Sequence, residues 1–190
     1  MGSAVLVEGS ARHVHVTQKD LETLYGTGYA LKVKRMLSQP GEFLSEEKVR
    51  VEGPKGAIDR ISILGPARKA TQVELSLTDA RVLGVNAPVR ESGDIEGSAP
   101  VRIVGPAGAV DLVQGAIVAK RHVHLRPEDA AEMGVENKQL VSLRVDGERA
   151  VTFHEVVVRV APSFMPAVHL DFDEMNAAGL NGEVRGEIIP

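Results

Sequence analysis

Lys120-Arg121-His122-Val123-His124-Leu125 is the stretch that decides the fold, because Ala11-Arg12-His13-Val14-His15-Val16 nearly repeats it much earlier in the chain. Each copy places a His-Val-His among β-branched and aliphatic residues, which predicts a strand. Successive side chains of a strand point to opposite faces, so the two histidines share one face while the valine points into a core. Two imidazoles on one strand face have the geometry to bind one metal ion.

The repetition of this pattern favours metal binding over a structural role. Six histidines in 190 residues would give roughly 0.2 of a His-x-His pair by chance. The chain has two such pairs, both with valine between the histidines and arginine before them. A single histidine on an apolar strand is more often a hydrogen-bonded structural residue than a ligand, but a repeated pair is not explained in that way.

Composition indicates a folded globular protein and excludes several classes. The chain is 43% hydrophobic and 25% charged, and its formal charge of -4 argues against nucleic-acid binding. The apolar runs are too short to cross a bilayer, so no membrane partner is predicted. Absence of cysteine excludes disulfides, thiolate nucleophiles and Cys-type zinc sites. The first residues lack the features of a signal peptide, which predicts a cytoplasmic location.

A strand-to-helix unit recurs four times. In each copy a strand ends on a residue that can bind metal, and an acid follows five positions later, in the first turn of a short helix that ends near a glycine. The leading residues and their acids are His15 with Asp20, Glu74 with Asp79, His124 with Asp129, and His169 with Glu174. Four copies of one unit indicate internal duplication.

Hairpins separate these units. Gly53-Pro54-Lys55-Gly56 and Asp146-Gly147 each lie between two alternating apolar runs, which is typical of hairpin turns. No predicted helix is long enough for an ordinary βαβ crossover. We therefore predict a mainly β protein of two small β-barrels, related by internal duplication and capped by short α-helices.

Three further side chains could have either a functional or a structural role. Glu74 could be a solvated strand residue, but its position is equivalent to that of His124, which makes it a candidate ligand. His154 has no equivalent in the other units, and we predict a structural role for it. Arg68 follows the Gly65-Pro66-Ala67 turn and can reach the same barrel end as Glu74. It is either a surface arginine or a bidentate holder of phosphate or carboxylate.

Four blocks of the chain resemble the signature blocks of the PduL-type phosphate propanoyltransferases, which are phosphotransacylases. The resemblance covers nearly the whole chain, from about Ser10 to Gly186, and the order of the blocks is specific. The blocks are Arg12–His15, Leu64–Glu74, Lys120–Leu125 with Pro127–Ala130, and His169–Gly179.

This resemblance implies an enzyme that exchanges coenzyme A and inorganic phosphate on a short acyl group, with acyl-CoA and phosphate as its partners. It also implies a pair of zinc ions held in a cleft between two β-barrels. The first strand of the chain would pack with the C-terminal half, so the barrels would be interleaved. The first barrel domain would span residues 12-119, and the second would span 120-190, completed by the N-terminal segment 1-11.

The resemblance also assigns residues by matching positions. Arg68 would handle phosphate, and the coenzyme A contacts would be Ser10, Arg35, Leu64 and Asn176. The implied Zn2+ ligands are His13, His15, Glu74, His122, His124 and His169. Ser62 stands where family members often carry an arginine, so the resemblance does not carry over that arginine's contact to the nucleotide.

Other possibilities stay open at this point. Only a few residues precede His13, too few for the helix that directs some family members into a bacterial microcompartment, so we expect a free cytoplasmic enzyme. A dinuclear zinc hydrolase and a non-catalytic metal-stabilised barrel would use the same ligands. The acyl chain length and the oligomeric state, which could be a homodimer, are not fixed by any motif.

Overall fold

The computed structural model describes residues 4–190, and these divide into two compact units. The unit that we call the N-terminal barrel comprises Ala11–Ala119. The unit that we call the C-terminal barrel comprises Lys120–Pro190 together with the described residues up to Ser10. Residues 1–3 of the segment predicted to complete the second barrel lie outside the described part of the chain.

Short helices and longer strands build both units. The helices are α1 (Gln18–Tyr25), α2 (Leu77–Leu83), α3 (Pro127–Met133) and α4 (Phe172–Ala177). The strands are β1 (Ala4–Ser10), β2 (His13–His15), β3 (Val33–Met36), β4 (Phe43–Glu52), β5 (Ala57–Gly65), β6 (Gln72–Leu75), β7 (Val89–Arg90), β8 (Ala99–Val104), β9 (Ala109–Ala119), β10 (His122–Leu125), β11 (Leu140–Val145), β12 (Val151–Val160), β13 (Ala167–Asp171) and β14 (Val184–Ile189).

The N-terminal barrel closes through the cycle β2-β6-β9-β8-β4-β5, with β5 pairing back to β2. Two of these pairings, β6 with β9 and β5 with β2, are parallel, and the rest are antiparallel. Strands β3 and β7 extend the sheet beside β4 and β9. Closure leaves the six strands of the cycle without a free edge.

The C-terminal barrel repeats the same pattern of pairing. Its cycle is β10-β13-β1-β14-β11-β12, again with two parallel pairings, β13 with β1 and β12 with β10. Each strand therefore has a counterpart at the same place in the other cycle. This repetition confirms the predicted fold class of two β-barrels related by internal duplication and capped by short helices.

Strand exchange makes the barrels interleaved. Strands β1 and β9 occupy equivalent places in the two cycles, and each directly precedes a His-Val-His strand in the chain. Nevertheless, β1 pairs with β13 and β14 of the C-terminal barrel, while β9 pairs with β6 and β8 of the N-terminal barrel. Each repeat thus begins with the strand that completes the barrel of the other repeat.

A β-bulge is also repeated. Arg60 in β5 has a φ of 60° and Glu155 in β12 a φ of 58°, and the register shifts at both places. Arg60 lies two residues before Ser62, which pairs with His13. Glu155 likewise lies two residues before Val157, which pairs with His122. A non-glycine residue with positive φ is uncommon, so its recurrence at equivalent positions supports the duplication.

The helices begin as the acid spacing predicts. In α2 the Ser76 side chain accepts from the Asp79 amide and the Asp79 carboxylate accepts from the Ser76 amide, which is a capping box. The same box joins Asp171 and Glu174 in α4. These reciprocal bonds satisfy amides that a helix start would otherwise leave unpaired.

Helix α1 lacks the reciprocal capping box of α2 and α4. The Thr17 hydroxyl accepts from the Asp20 amide as expected, but the amide of Thr17 donates to Thr71 Oγ1 at 2.9 Å. The Thr71 hydroxyl in turn donates to the Asp20 carboxylate. A residue just before β6 therefore completes the cap, and it joins α1 to the strand that carries Glu74.

Gly53-Pro54-Lys55-Gly56 is a hairpin turn, as predicted, and Gly105-Pro106-Ala107-Gly108 forms a second turn of the same kind. Both turns also cap helices. The amide of Lys55 donates to Leu83 O at 3.0 Å, and the amide of Ala107 donates to Leu24 O at 2.9 Å. A Cβ on Gly53 would lie 2.4 Å from Leu83 O. Glycine is needed there because the turn approaches the helix end so closely.

Each barrel has its own apolar core. Val14 and Val123, the central residues of the two His-Val-His strands, are both fully buried in these cores. The flanking histidines consequently face the other side of the strand, as the alternation predicts. No helix in residues 4–190 has the length and apolar character needed to cross a membrane.

Candidate metal centres

The first candidate centre is formed by His13, His15 and Glu74 in the N-terminal barrel. Strands β2 and β6 are antiparallel, and their register places His13 directly opposite Glu74. The Nε2 atoms of the two histidines lie 3.1 Å apart. The Glu74 carboxylate oxygens lie 3.5 Å from His13 Nε2 and 3.6 Å from His15 Nε2. Three buried ligand atoms therefore converge on one point.

These separations fit a zinc ion. Zinc binds nitrogen and oxygen at about 2.0–2.1 Å, so the ligand atoms of a tetrahedral site lie about 3.3–3.4 Å apart. His13 Nδ1 lies 2.8 Å from Ala11 O, and because a carbonyl can only accept, Nδ1 carries the proton. The lone pair of His13 Nε2 is then directed at the centre, as in a metal-ligating histidine held by a backbone carbonyl.

Burial and mutual charge interactions shift the pKa values of all three residues in this group. Burial tends to raise the pKa of Glu74, but the charge and hydrogen bond of His13 outweigh it and hold that pKa well below its usual range. Burial tends to lower the pKa of His13, but the charge and hydrogen bond of Glu74 outweigh burial and raise this pKa above its usual value. Burial, with His13 adding to it, lowers the pKa of His15 to about 3. Glu74 therefore favours the protonated form of His13, whereas burial favours the neutral form of His15.

Two polar residues that the sequence analysis missed orient Glu74. Gln72 Nε2 donates to Glu74 Oε1 at 2.7 Å, and Ser92 Oγ donates to the same oxygen at 2.6 Å. Gln72 lies two residues before Glu74 on the same strand face, a spacing that could have indicated it. Ser92 follows β7 in an irregular segment and carries no local signal. Both bonds restrict the carboxylate to one orientation.

The second candidate centre is formed by His122, His124 and His169 in the C-terminal barrel. His122 lies opposite His169 in the antiparallel pair β10–β13, so His169 takes the place that Glu74 has in the first centre. His122 Nδ1 lies 2.9 Å from Lys120 O, which repeats the contact of His13 with Ala11. The two centres are thus equivalent in backbone geometry and differ in one ligand.

His124 gives the clearest indication that this centre binds a cation. Both of its ring nitrogens are buried with no hydrogen-bond partner among the residues that the structure describes. Burial, with His122, His169 and Arg159 adding to it, lowers its pKa to about 2. A neutral imidazole buried in this way offers a free lone pair, and a metal ion would satisfy it. Phe164 stacks on its ring at 4.1 Å and fixes the plane.

Glu8 is a neighbour of this centre that the sequence analysis missed. It lies opposite His169 in the parallel pair β1–β13, and its carboxylate is 3.8 Å from His169 Nδ1. A carboxylate beside the outer nitrogen of a ligating histidine commonly orients that ring. Because β1 belongs to the other sequence repeat, only the strand exchange brings Glu8 here.

Comparison with known proteins identifies the family of the chain. A model of the family described as phosphate propanoyltransferase matches residues 6–181. The chain belongs to this family. It is similar to a protein named phosphate propanoyltransferase from Enterococcus faecalis, with 48% identity over 183 residues that cover 96% of this chain and 87% of that protein. The protein of the same name from Lachnoclostridium phytofermentans is 52% identical over 178 residues, covering 93% and 83%.

A third relative is similar to the same extent. The phosphate propanoyltransferase of Thermotoga maritima is 48% identical over 178 residues, which cover 93% of this chain and 85% of that protein. The family resemblance read from the four sequence blocks is therefore confirmed. The chain spans most of the length of each of these relatives, so no large part of them is missing from the match.

Arg68 lies beside the first centre. Its NH1 donates to Ser92 Oγ at 3.1 Å and its NH2 donates to Glu42 Oε1 at 2.7 Å. The side chain is one-third exposed, and its charge lowers the pKa of both His13 and His15. Arg68 is thus linked to the candidate ligand Glu74 through one hydroxyl group.

The four residues that the resemblance assigns to coenzyme A divide between the units. Arg35 in β3 and Leu64 in β5 both lie beside Leu44, one on each side of β4. Ser10 ends β1 opposite Asp171, and Asn176 is an exposed residue of α4.

Ser62 and His154 have ordinary surroundings. Ser62 Oγ accepts a hydrogen bond from Lys48 Nζ, in the neighbouring strand, at 3.0 Å. His154 is exposed, and its Nδ1 lies 2.9 Å from Ser142 Oγ. It belongs to neither centre.

Proposed function

We propose that this protein is a phosphotransacylase that interconverts a short-chain acyl-CoA plus phosphate with the acyl phosphate plus coenzyme A. Membership of the phosphate propanoyltransferase family supports the reaction class, and propanoyl-CoA or acetyl-CoA would be the acyl donor. The observation that carries the proposal is the position of Arg68, a partly exposed cation one hydroxyl away from a buried metal-ligand group.

Two zinc ions would bind per chain, one at each candidate centre. One donor set has two histidines and a glutamate, and the other has three histidines. Zinc takes such nitrogen and oxygen ligands in catalytic sites, where three protein ligands leave a position for substrate. Bound zinc would supply Lewis-acid stabilisation of the oxyanion and of the departing thiolate, since this ion accepts both oxygen and sulfur.

Arg68 would hold the phosphate nucleophile. Phosphate is weakly nucleophilic and negatively charged, so it must be fixed beside the thioester carbonyl and its charge must be offset. The planar guanidinium can donate two parallel hydrogen bonds to phosphate oxygens. Glu42 now accepts from one of its nitrogens, so phosphate would replace this carboxylate or use the donors that remain.

Transfer would be direct. Because the chain has no cysteine, a thiol acyl-enzyme is impossible, and the simplest mechanism is attack of phosphate on acyl-CoA in a ternary complex. Ser10, Arg35, Leu64 and Asn176 would contact coenzyme A. Neutral His15 and His124 would keep their lone pairs available to metal at neutral pH, because burial lowers the pKa of each.

A coenzyme A release assay tests this proposal. A thiol-reactive dye, added to enzyme with propanoyl-CoA or acetyl-CoA, should report free thiol only when phosphate is present. Release without phosphate would identify a zinc hydrolase that activates water at the same ligands. Absence of release under both conditions, with zinc bound, would leave a non-catalytic metal-stabilised barrel. A homodimer and a cytoplasmic location remain predictions, which light scattering and cell fractionation can check.

A further inference from the structure

An arginine precedes each His-Val-His strand, and the structure gives both arginines the same kind of partner. Arg12 NH1 donates to Asp79 Oδ1. Arg121 NH1 lies 3.2 Å from Glu174 Oε1. These partners are far away in sequence, and neither arginine belongs to the ligand groups or to the proposed phosphate site.

The two carboxylates occupy equivalent positions. Asp79 is the third residue of α2 and Glu174 the third residue of α4. Each of these helices directly follows the strand that carries the third ligand of its centre, and each carboxylate comes five residues after that ligand, Glu74 or His169. Each ion pair therefore connects the residue before a His-Val-His strand to the start of the helix that follows the third ligand in the chain.

Each carboxylate divides its two oxygens in the same way. Asp79 Oδ2 accepts from the Ser76 amide at 3.2 Å within the capping box, and Oδ1 is left for Arg12. Glu174 Oε2 accepts from the Asp171 amide at 3.0 Å, and Oε1 is left for Arg121. An acid fixed by its own helix cap is a preorganised partner, so the arginine binds a rigid group.

The strand pairs that carry the candidate ligands are short, so an ion pair beside them can keep their ends paired. Strands β2 and β6 share three residue pairs, and His13 opposite Glu74 is the last of them. Strands β10 and β13 likewise share three pairs, with His122 opposite His169 at the end. Both arginines immediately precede these terminal pairs, where a short ladder would otherwise fray.

We propose that Arg12–Asp79 and Arg121–Glu174 are two copies of one clamp that fixes the third metal ligand of each barrel against its His-Val-His strand. The arginines and carboxylates are positioning residues and contact neither metal nor substrate. This inference rests on the proposed zinc binding. Each clamp acts only on the centre of its own barrel, because its arginine directly precedes one strand of that centre and its carboxylate lies in the helix that follows the other.

Cobalt titration tests the clamp without relying on activity. Metal-free protein is titrated with Co2+ at pH 8, and visible absorption reports both affinity and ligand geometry. Arg12→Gln and Arg121→Gln should each weaken one of two Co2+ sites about tenfold and change its absorption band, since loss of a group that orients ligands costs about 10- to 100-fold in metal affinity. Arg12→Lys and Arg121→Lys should restore part of the affinity.

Matched controls separate a positioning effect from general loss of an ion pair. Arg102→Gln removes an exposed pair with Asp111 in the N-terminal barrel, and Arg144→Gln removes one with Glu187 in the C-terminal barrel. Neither should alter the Co2+ spectrum. If an arginine variant fails to fold, Asp79→Asn or Glu174→Gln removes the same charge pair and keeps an acceptor for the helix cap.

Variants that keep only one metal centre show which barrel each clamp acts on. With His124→Ala removing the second centre, Arg12→Gln should weaken the remaining site and Arg121→Gln should leave it unchanged. Wild-type protein that binds two Co2+ ions, with clamp variants of unchanged affinity and spectrum, would overturn the clamp alone. Wild-type protein that binds no Co2+ would overturn the zinc proposal and the clamp with it.

Discussion

Arg68 and Glu74 are joined through a single hydroxyl group. Ser92 Oγ donates to Glu74 Oε1 at 2.6 Å and accepts from Arg68 NH1 at 3.1 Å. A ligand of the first candidate centre and the proposed phosphate holder are therefore coupled in geometry. Movement of either group changes the orientation of the other, which makes both sides of this link testable.

We expect Arg68 to contribute to phosphate handling in a graded way. Arg68→Lys keeps the charge and loses the planar fork, whereas Arg68→Ala loses both, so activity should fall in the order wild type, Lys, Ala. By analogy with loss of one preorganised donor, Arg68→Ala should cost roughly 2–4 kcal/mol of transition-state stabilisation, or about 30- to 1000-fold in kcat/KM.

The kinetic pattern distinguishes this role from a structural one. The KM for phosphate should change more than the KM for acyl-CoA, and zinc content should stay constant. Arg50→Ala, which removes an exposed arginine paired with Glu52 and Asp59, is the matched control. Normal phosphate kinetics in Arg68→Ala would show that the residue has no part in binding phosphate.

Loss of the Ser92 hydroxyl should loosen Glu74 without removing a ligand. Ser92→Ala deletes one of the two side-chain hydrogen bonds to Glu74 Oε1, and we expect zinc affinity at the first centre to fall about tenfold. Competition with a chelator measures this directly. Ser142→Ala, which affects only the exposed His154, should keep wild-type affinity, and an equal loss in both variants would contradict the prediction.

Zinc content should be two ions per chain. His124→Ala should lose one ion and most activity, because His124 is a buried ligand candidate with no other hydrogen-bond partner in residues 4–190. His154→Ala should keep both ions, since His154 is exposed and belongs to neither centre. Elemental analysis after gel filtration checks both. A content well below one ion per chain in a fully active enzyme would be inconsistent with the two-zinc proposal.

Stability should depend on pH through Glu174. Burial raises its pKa from 4.5 to about 7, against the opposing hydrogen bond from the Asp171 amide and the opposing charge of Arg121. The folded protein then holds a proton that the unfolded chain releases as pH rises from about 4.5 to about 7, so this group lowers the free energy of unfolding across that window. The ionised carboxylate is therefore retained at a cost in stability, as expected of a positioning group.

Comparison with Glu174→Gln isolates this effect. Glutamine preserves an acceptor for the helix cap and cannot ionise. The metal-free variant should match wild type below pH 4 and exceed its free energy of unfolding by at most about 3 kcal/mol at pH 8. Urea unfolding across this range provides the measurement, with Glu128→Gln as a control that removes an exposed carboxylate. A pH-independent difference would show that Glu174 ionises normally.

Local sequence was sufficient to predict the ligand faces. A strand alternates its side chains whatever surrounds it, so the two His-Val-His runs determine that each histidine pair shares a face opposite a buried valine. In α2, α3 and α4 the acid at the third helical position likewise accepts from the amide at its own helix start, which is why the spacing predicted where these helices begin. Repetition of these local patterns also predicted the duplication, and the resemblance of four sequence blocks indicated the family.

Only the tertiary structure determined which distant groups act on those ligands. Ser92 and Glu8 are polar residues with no distinctive spacing, and they reach Glu74 and His169 because barrel closure sets the register of strands far apart in sequence. The same closure pairs Arg12 with Asp79 and supplies Thr71 to the cap of α1. Alternation and capping depend on neighbours along the chain, whereas strand register depends on packing of the whole barrel, which no local pattern encodes.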